Sequence, residues 1–231
     1  MSVISSSFRS RVRAGVEPIA RLFGKIGLTP NALTLIGFGI AVVAAWTATK
    51  QWWFGAGVLV AFGAVFDLFD GALARATNQT SKFGAFMDST FDRAGEAVVY
   101  GGVAIGLALV TDQAPVVLGA AAAVAAMAAS FMVSYTRAKS ESLGFSSGTG
   151  MASVGLAPRE VRMVILAIGL LAGGLIPTGD YPAGLGPQAP YGWMFLVGSL
   201  GLIAILATVT TIQRILFVYR QSKSATQEDT K

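Results

Sequence analysis

The strongest constraint on the fold of this chain is a series of long apolar segments that contain almost no charge. A helix that crosses a bilayer needs about 20 predominantly apolar residues. Only 13% of the 231 residues are charged, whereas a soluble domain carries about 25%. We therefore expect an all-α integral membrane protein with six transmembrane helices. The six apolar segments lie at residues 32–49, 52–66, 97–111, 113–136, 163–179 and 181–213.

Three of these segments need their ends adjusted. The second is short unless its helix continues through Asp67 and Asp70. The third is expected to extend backwards through Asp88, and the sixth to begin near Tyr191, because three prolines precede that residue. Single-domain organisation over residues 1–231 follows, since the sequence contains no linker and no internal repeat.

The distribution of basic residues predicts the orientation in the membrane. Lys and Arg are concentrated before the first segment, in alternate loops and after the last segment, and basic loops remain in the cytoplasm. This predicts a multi-pass protein of the plasma membrane with both termini in the cytoplasm. The chain then divides into an amphipathic interfacial helix (1–28), a six-helix core (31–218) and a polar tail (219–231). A plain basic flank is the alternative for the first part, and residues 222–231 are predicted to be frayed.

The absence of histidine and cysteine limits the chemistry of the chain. Both counts are 0, which excludes disulfides, thiolate nucleophiles, zinc sites built on these residues and an imidazole base. The composition also argues against a disordered chain, a tail that binds nucleic acid and an ordinary soluble enzyme. Polar chemistry must therefore use carboxylates, hydroxyls, Lys or Arg.

Four aspartates form the most informative cluster in the sequence. Asp67 and Asp70 are three residues apart and Asp88 and Asp92 are four apart, so each pair shares one face of a helix. A short loop separates the pairs, which predicts that the second and third spans are antiparallel neighbours. All four carboxylates could then converge near the cytoplasmic side. Clustered carboxylates suit Mg²⁺, Mn²⁺ or Ca²⁺, whereas helix capping would explain only one or two of them.

The cluster extends into a longer motif with small and basic residues. It reads Asp67-x2-Asp70-Gly71-x2-Ala74-Arg75-x8-Gly84-x3-Asp88-x3-Asp92, with eight fixed positions over 26 residues. This motif resembles the signature of the CDP-alcohol phosphotransferases. The resemblance implies a transfer of a phosphatidyl group from CDP-diacylglycerol to a soluble polar alcohol, with release of CMP. It also implies a homodimer in contact with membrane lipids.

The resemblance implies a role for each matching residue. Two divalent cations, Mg²⁺ or Mn²⁺, would be held by the four aspartates, of which Asp92 would also be the general base. The residues implied in binding the CDP-lipid lie at the start of the first span and in the motif. They are Asn31, Ala32, Leu33, Thr34, Gly71, Arg75 and Ser81.

A second group of basic residues bears on the acceptor. Arg137, Lys139, Arg159, Arg162 and Arg214 lie at predicted cytoplasmic ends of spans four to six. Anchoring by the positive-inside rule is one explanation, and binding of a phosphorylated acceptor by several cations is the other. The pattern is similar to that of the actinobacterial phosphatidylinositol phosphate synthases, in which Arg137, Arg159 and Arg214 would match phosphate-binding positions. This resemblance implies inositol phosphate as the acceptor.

Three alternatives remain at this point. Glycerol 3-phosphate is the alternative acceptor, and it would give phosphatidylglycerol phosphate. A cation transporter or channel is a hypothesis of another class, because intramembrane acids often mark ion pathways. A structural membrane protein is the third, since Gly102-x3-Gly106 and Gly169-x3-Gly173 are patterns typical of helix contacts.

Overall fold

The computed structural model describes residues 18–109, 114–145, 154–175 and 190–228, and the regular structure in these ranges is entirely helical. This confirms the all-helical prediction for the described part of the chain. The helices are α1 (18–25), α2 (Pro30–Thr49), α3 (Trp53–Ala76), α4 (Lys82–Ala108), α5 (Ala114–Ser142), α6 (Arg159–Leu175) and α7 (Pro190–Glu228). In these ranges, four stretches are long and apolar enough to cross a membrane. They are Pro30–Thr49, Trp53–Ala76, Val117–Ser142 and Met194–Lys223.

Local capping explains where the two helices next to the acidic motif begin. The Thr29 hydroxyl accepts a hydrogen bond from the backbone N–H of Ala32 at 3.2 Å, which starts α2. The Ser81 hydroxyl accepts from the N–H of Gly84 at 2.9 Å, which starts α4. Such caps satisfy backbone donors that have no partner in the first turn.

The helix ends agree with the sequence in three places and differ in one. α7 begins at Pro190, beside the expected Tyr191. α3 continues through both of its aspartates to Ala76, and α4 extends backwards beyond Asp88 to Lys82, as expected. The prediction that the polar tail is frayed is wrong as far as Glu228, because α7 continues to this residue. Strong helix formers such as Gln, Lys and Ala in the tail favour this extension.

The six long helices form a closed ring. α2 packs against α3 and α4, α5 packs against α4 and α7, and α6 packs against α3 and α7. The expectation that the second and third spans are packed neighbours is therefore wrong. In the part of the chain that is described, α3 and α4 are not a closely packed pair, because α2 lies between them.

Glycines allow the closest approaches in this ring. A Cβ at Gly102 would lie 2.4 Å from the carbonyl oxygen of Ala45, and a Cβ at Gly106 would lie 2.2 Å from that of Ala48. Gly169 faces Ser199 of α7 in the same way. The two glycine patterns of the sequence therefore make helix contacts, as small residues commonly do in membranes.

The short helix α1 packs against the outside of the ring at one end. Ala20 is fully buried and belongs to one apolar cluster with Leu33 and Leu73. The ring of Phe23 contacts that of Phe69 edge to face, with centroids 5.5 Å apart, while Leu22 is 57% exposed. An apolar exposed side on a helix with basic neighbours fits the predicted interfacial helix. Residues 1–17 of that prediction lie outside the described residues.

We expect Gly106→Ala to destabilise the protein, whereas Gly101→Ala should leave its stability unchanged or raise it slightly. The added methyl group at position 106 would push α4 from α2 and should cost about 1–3 kcal/mol, whereas no atom lies within 4 Å of a Cβ at Gly101. Thermal unfolding in detergent micelles measures the difference. Equal midpoints for the two variants would contradict the close packing of α2 and α4.

Candidate active site

Three of the four motif aspartates, on α3 and α4, face a common cavity. This partly open cavity is bounded by α2, α3, α4 and α6. Asp67, Asp70 and Asp92 line its polar end, and side chains such as Phe38 and Val60 line its apolar part. The site therefore joins a charged surface to an apolar space within the bundle.

The four carboxylates are close enough to repel one another through space. Asp70 interacts electrostatically with Asp88 and Asp67, and Asp92 interacts with the same two residues. Asp88 is the most exposed of the four. Electrostatic interactions therefore link the four carboxylates, although Asp88 is not among the residues that line the cavity, and their convergence on one site stays a prediction.

Arg159, the first residue of α6, bridges the two acidic helices. Its Nη2 atom lies 2.8 Å from Oδ2 of Asp67, and its Nη1 atom lies 2.7 Å from Oδ1 of Asp92. Its Nε atom is buried and has no hydrogen-bond partner among the described residues. The sequence predicts this residue as a ligand of the acceptor phosphate, and the structure places it among the carboxylates.

Asp70 is oriented by neighbouring donors on α2 and α3. The Thr34 hydroxyl donates a hydrogen bond to Oδ2 of Asp70 at 3.0 Å, and the N–H of Gly71 donates to Oδ1 at 2.5 Å. Gly37 leaves room for the other carboxylate, since a Cβ there would lie 3.0 Å from Oδ1 of Asp67. The first turns of α2 thus shape the acidic site from one side.

The other residues at the start of α2 occupy different environments. Leu33 is 1% exposed and belongs to the apolar contact with α1 and α3, while Ala32 takes part in the helix cap through its N–H. The side-chain oxygen of Asn31 would lie 3.5 Å from a Cβ at Gly84. Thr34 therefore contacts an aspartate of the site, and Asn31 faces the start of α4.

The remaining residues of the motif lie at the ends of α3 and α4. Arg75 is exposed and folds back over Gly71, where a Cβ would lie 3.3 Å from its Nη1 atom. The Ser81 hydroxyl is engaged as the cap of α4. A glycine at position 71 therefore gives the guanidinium group close access to the backbone beside Asp70.

The basic residues of α5 and α7 lie in two kinds of environment. Arg214, expected at the end of the last span, lies inside α7, because this helix continues to Glu228. Arg137 and Lys139 are exposed, and Nε of Arg137 lies 2.9 Å from Oε1 of Glu141. Arg214 is only 4% exposed, and it donates through Nε to the carbonyl of Val154 at 3.0 Å and through Nη1 to the carbonyl of Val133. Arg214 is close enough to Arg137 to interact with it electrostatically.

A second ion pair near the site was missed in the sequence. Nε and Nη2 of Arg162 lie 2.9 Å from Oε1 and Oε2 of Glu96, and the two residues are 1% and 3% exposed. Glu96 also lines the cavity. A signal was available, because Glu96 follows Asp92 by four residues and Arg162 follows Arg159 by three, so each continues a helix face already identified.

The donor set fits a hard divalent cation in its chemistry. Carboxylate oxygens are the ligands that Mg²⁺ and Mn²⁺ prefer, and the bridging guanidinium of Arg159 shows that a positive charge is held between α3 and α4. In the arrangement of the described residues, no three acidic side chains are grouped closely enough to share one metal ion. The structure thus presents an arginine-bridged form of the acidic cluster.

Comparison with known proteins relates this site to a family. The family model for CDP-alcohol phosphatidyltransferase matches residues 27–209 of the chain, a range that includes the complete acidic motif. Archaetidylinositol phosphate synthase of Pyrococcus horikoshii is 35% identical over 210 residues, which are 91% of this chain and 94% of the relative. Phosphatidylinositol phosphate synthase of Mycolicibacterium smegmatis is 33% identical over 203 residues, covering 86% and 81%.

Two crystal structures of phosphatidylinositol phosphate synthase from Mycobacterium tuberculosis are similar to this fold, each with 28% identity over 88% of this chain. One has CDP-DAG bound, with a TM-score of 0.70 and 93% of that chain covered. The other is in complex with manganese and citrate, with a TM-score of 0.71 and 88% covered. The matched family model and the relatives above 30% identity show that this chain is an enzyme of the CDP-alcohol phosphatidyltransferase family.

Proposed function

We propose that the enzyme transfers a phosphatidyl group from CDP-diacylglycerol to a hydroxyl of inositol phosphate and releases CMP. The observation that supports this proposal is the position of three of the motif's aspartates, Asp67, Asp70 and Asp92, on one cavity, with Arg159 of α6 bound to two of them. A lipid-linked donor and a water-soluble acceptor must meet at a boundary between apolar and charged surroundings. The cavity has both kinds of lining.

The proposal includes six transmembrane helices, with both termini and the active site on the cytoplasmic side of the plasma membrane. Four stretches have the length and composition of spans, and α4 and α6 complete the ring with them. The polar end of the cavity lies on the side where the basic residues are concentrated, which the positive-inside rule assigns to the cytoplasm. A homodimer remains an expectation from the family resemblance.

Two divalent cations, Mg²⁺ or Mn²⁺, are proposed to bind at Asp67, Asp70, Asp88 and Asp92. The related M. tuberculosis structure in complex with manganese supports a divalent cation, and the carboxylate-only donor set supports a hard one. When bound, such cations stabilise the negative charge of a pyrophosphate group. The chain itself orients Asp70 through Thr34 and Gly71.

The nucleotide and its phosphates are proposed to bind beside the first turn of α2 and the end of α3. The related structure with CDP-DAG bound supports a binding site for this lipid in the shared fold. Arg75 is exposed next to Gly71, where a guanidinium group can meet a phosphate. The proposed residues are Asn31, Ala32, Leu33, Thr34, Gly71, Arg75 and Ser81.

Asp92 is proposed to be the general base, as the family resemblance implies, and a carboxylate base agrees with a chain that has no histidine. Its carboxylate accepts the proton of the acceptor hydroxyl as that oxygen attacks the phosphorus attached to diacylglycerol. The bond between this phosphorus and the CMP oxygen breaks, and CMP leaves with the electron pair. A positioned carboxylate can supply this proton transfer at neutral pH.

The acceptor is proposed to be bound through its phosphate by basic residues of α5, α6 and α7. They are Arg137, Lys139, Arg159 and Arg214. The names of the curated relatives favour inositol phosphate, because both the archaeal and the mycobacterial relatives are named as synthases of inositol phosphate lipids. Paired guanidinium and ammonium groups are suited to a phosphate monoester.

The direct test mixes purified protein, CDP-diacylglycerol, Mn²⁺ or Mg²⁺ and one acceptor at a time. We expect CMP release with inositol phosphate and none with unphosphorylated inositol. CMP release only with glycerol 3-phosphate would contradict the proposed acceptor. No CMP release with any polar alcohol would contradict the transfer reaction in this chain.

We expect Asp92→Asn to abolish transfer while the protein still inserts and folds. The amide cannot accept the proton of the acceptor hydroxyl, and loss of a general base typically costs about 10²–10⁴-fold in rate. Turnover and thermal unfolding of the same preparation separate chemistry from folding. Glu160→Gln, a matched change at an exposed carboxylate of α6, is the control, and turnover near that of the control would remove Asp92 as the base.

We also expect Mn²⁺ to raise the thermal stability of the protein and EDTA to reverse the effect. A cation that binds only the folded form at about 100 times its dissociation constant stabilises it by about 2.7 kcal/mol. In Asp70→Asn the rise should be largely lost, and in Glu160→Gln it should be retained. Equal rises in both variants would place the cation elsewhere in the protein.

A further inference from the structure

We infer that Glu96 and Arg162 form a positioning pair that places Arg159 for the phosphate of the acceptor. The inference rests on the proposed function, because the acceptor phosphate at Arg159 is part of that proposal. It gives Glu96 and Arg162 a positioning role that the proposed function does not assign to them. The following observations lead to it.

Two ion pairs, about one helical turn apart, connect α4 and α6. Asp92 binds Arg159 in the first ion pair, and Glu96 binds Arg162 in the second. The carboxylates are four residues apart on α4 and the arginines three residues apart on α6, so each set lies on one helix face. The second ion pair is the more buried, since both of its side chains are at most 3% exposed.

Both ion pairs join helices that are packed mainly on other partners, and Asp92, Arg159 and Glu96 line the cavity. α4 packs on α2 and α5, and α6 packs on α3 and α7. Residues of both helices line the cavity. The relative placement of Asp92 and Arg159 therefore depends on side-chain bonds across this space as well as on helix packing.

Arg159 has little local support of its own. It is the first residue of α6, and its Nε atom has no hydrogen-bond partner among the described residues. Only its two terminal nitrogens are bound, to Asp67 and Asp92. The reach of its guanidinium group is therefore set by where the first turn of α6 is held.

Arg162 holds that first turn in place. Besides its two bonds to Glu96, its Nη1 atom donates to the carbonyl of Ala157 at 2.9 Å. The N–H of Ala157 donates in turn to the Thr210 hydroxyl of α7 at 3.0 Å. The start of α6 is thus tied to α4 through Glu96 and to α7 through Thr210.

This arrangement matters for a residue that must bind a small charged group. A buried bidentate ion pair between an Arg and a carboxylate fixes both the distance between the two side chains and their relative orientation. A shift of about 1 Å in a positioning contact can reduce the rate by about 10²-fold. The pair Glu96–Arg162 therefore fixes the Cα of Arg159, while the guanidinium of Arg159 contacts the acidic site directly.

The test uses the double variant Glu96→Leu/Arg162→Met, because it separates positioning from folding. Replacing both partners of a buried ion pair by apolar residues of similar size preserves stability better than removing one partner. Glu96 also lies 3.8 Å from Nη1 of Arg93, which loses this contact in the double variant. The measurements are thermal unfolding, the kcat and KM of CMP release for each substrate, and calorimetric binding of inositol phosphate. Arg159→Ala serves as the reference variant and Glu160→Gln as the matched control.

We expect the double variant to remain folded, with a cooperative unfolding transition, and to resemble Arg159→Ala in its kinetics. The KM for inositol phosphate should rise at least about tenfold, while the KM for CDP-diacylglycerol stays within about twofold. Binding of inositol phosphate should weaken in parallel. An unchanged acceptor KM, or equal rises in both KM values, would overturn the positioning role.

A second variant keeps the inference testable if the double variant unfolds. Arg162→Lys retains the charge opposite Glu96, but a Lys side chain cannot form the bidentate ion pair. This variant should therefore show the same selective rise in acceptor KM. Wild-type kinetics in Arg162→Lys would then overturn the inference. If the wild-type protein neither binds inositol phosphate nor releases CMP with it, the proposed function itself fails, and this outcome is distinct from failure of the positioning pair.

Discussion

Charged side chains inside an apolar helical bundle are stable only when they are paired, and this requirement organises the polar end of the protein. An unpaired charge in such surroundings costs several kcal/mol, so acids and bases from different helices must meet. Arg159 meets Asp67 and Asp92, and Arg162 meets Glu96. Because these ion pairs join α3, α4 and α6, they help to position the three helices around the cavity.

The remainder of the fold supports this charged end by close helix packing. Glycines of α4 bring its backbone against α2, and α2 in turn supplies Thr34 to Asp70. An apolar cavity wall is therefore continuous with an acidic site at its end. Membership in an enzyme family decides for a transferase and against a channel, and the geometry explains how a lipid-linked donor can reach fixed carboxylates.

Much of this arrangement could be predicted from local sequence, and the rest depends on contacts between distant residues. The apolar runs predicted the long helices, and the spacing of Asp67, Asp70, Asp88 and Asp92 predicted a common site. Local patterns could not show that α2 separates α3 from α4, because that depends on which faces pack. Nor could they show that Arg159 would bind Asp67, 92 residues earlier in the chain, or that Arg214 would bind backbone carbonyls. Glu96 could have been found by following the face of α4 one turn beyond Asp92.

The central claim is that the acidic site transfers a phosphatidyl group to inositol phosphate. The most direct measurement offers the purified enzyme CDP-diacylglycerol and Mn²⁺ with inositol phosphate and glycerol 3-phosphate at equal concentrations, and identifies the new lipid by mass spectrometry. We predict that the lipid carrying inositol phosphate is the main product and that it is absent with Asp92→Asn. Predominant phosphatidylglycerol phosphate, or no new lipid at all, would contradict the account.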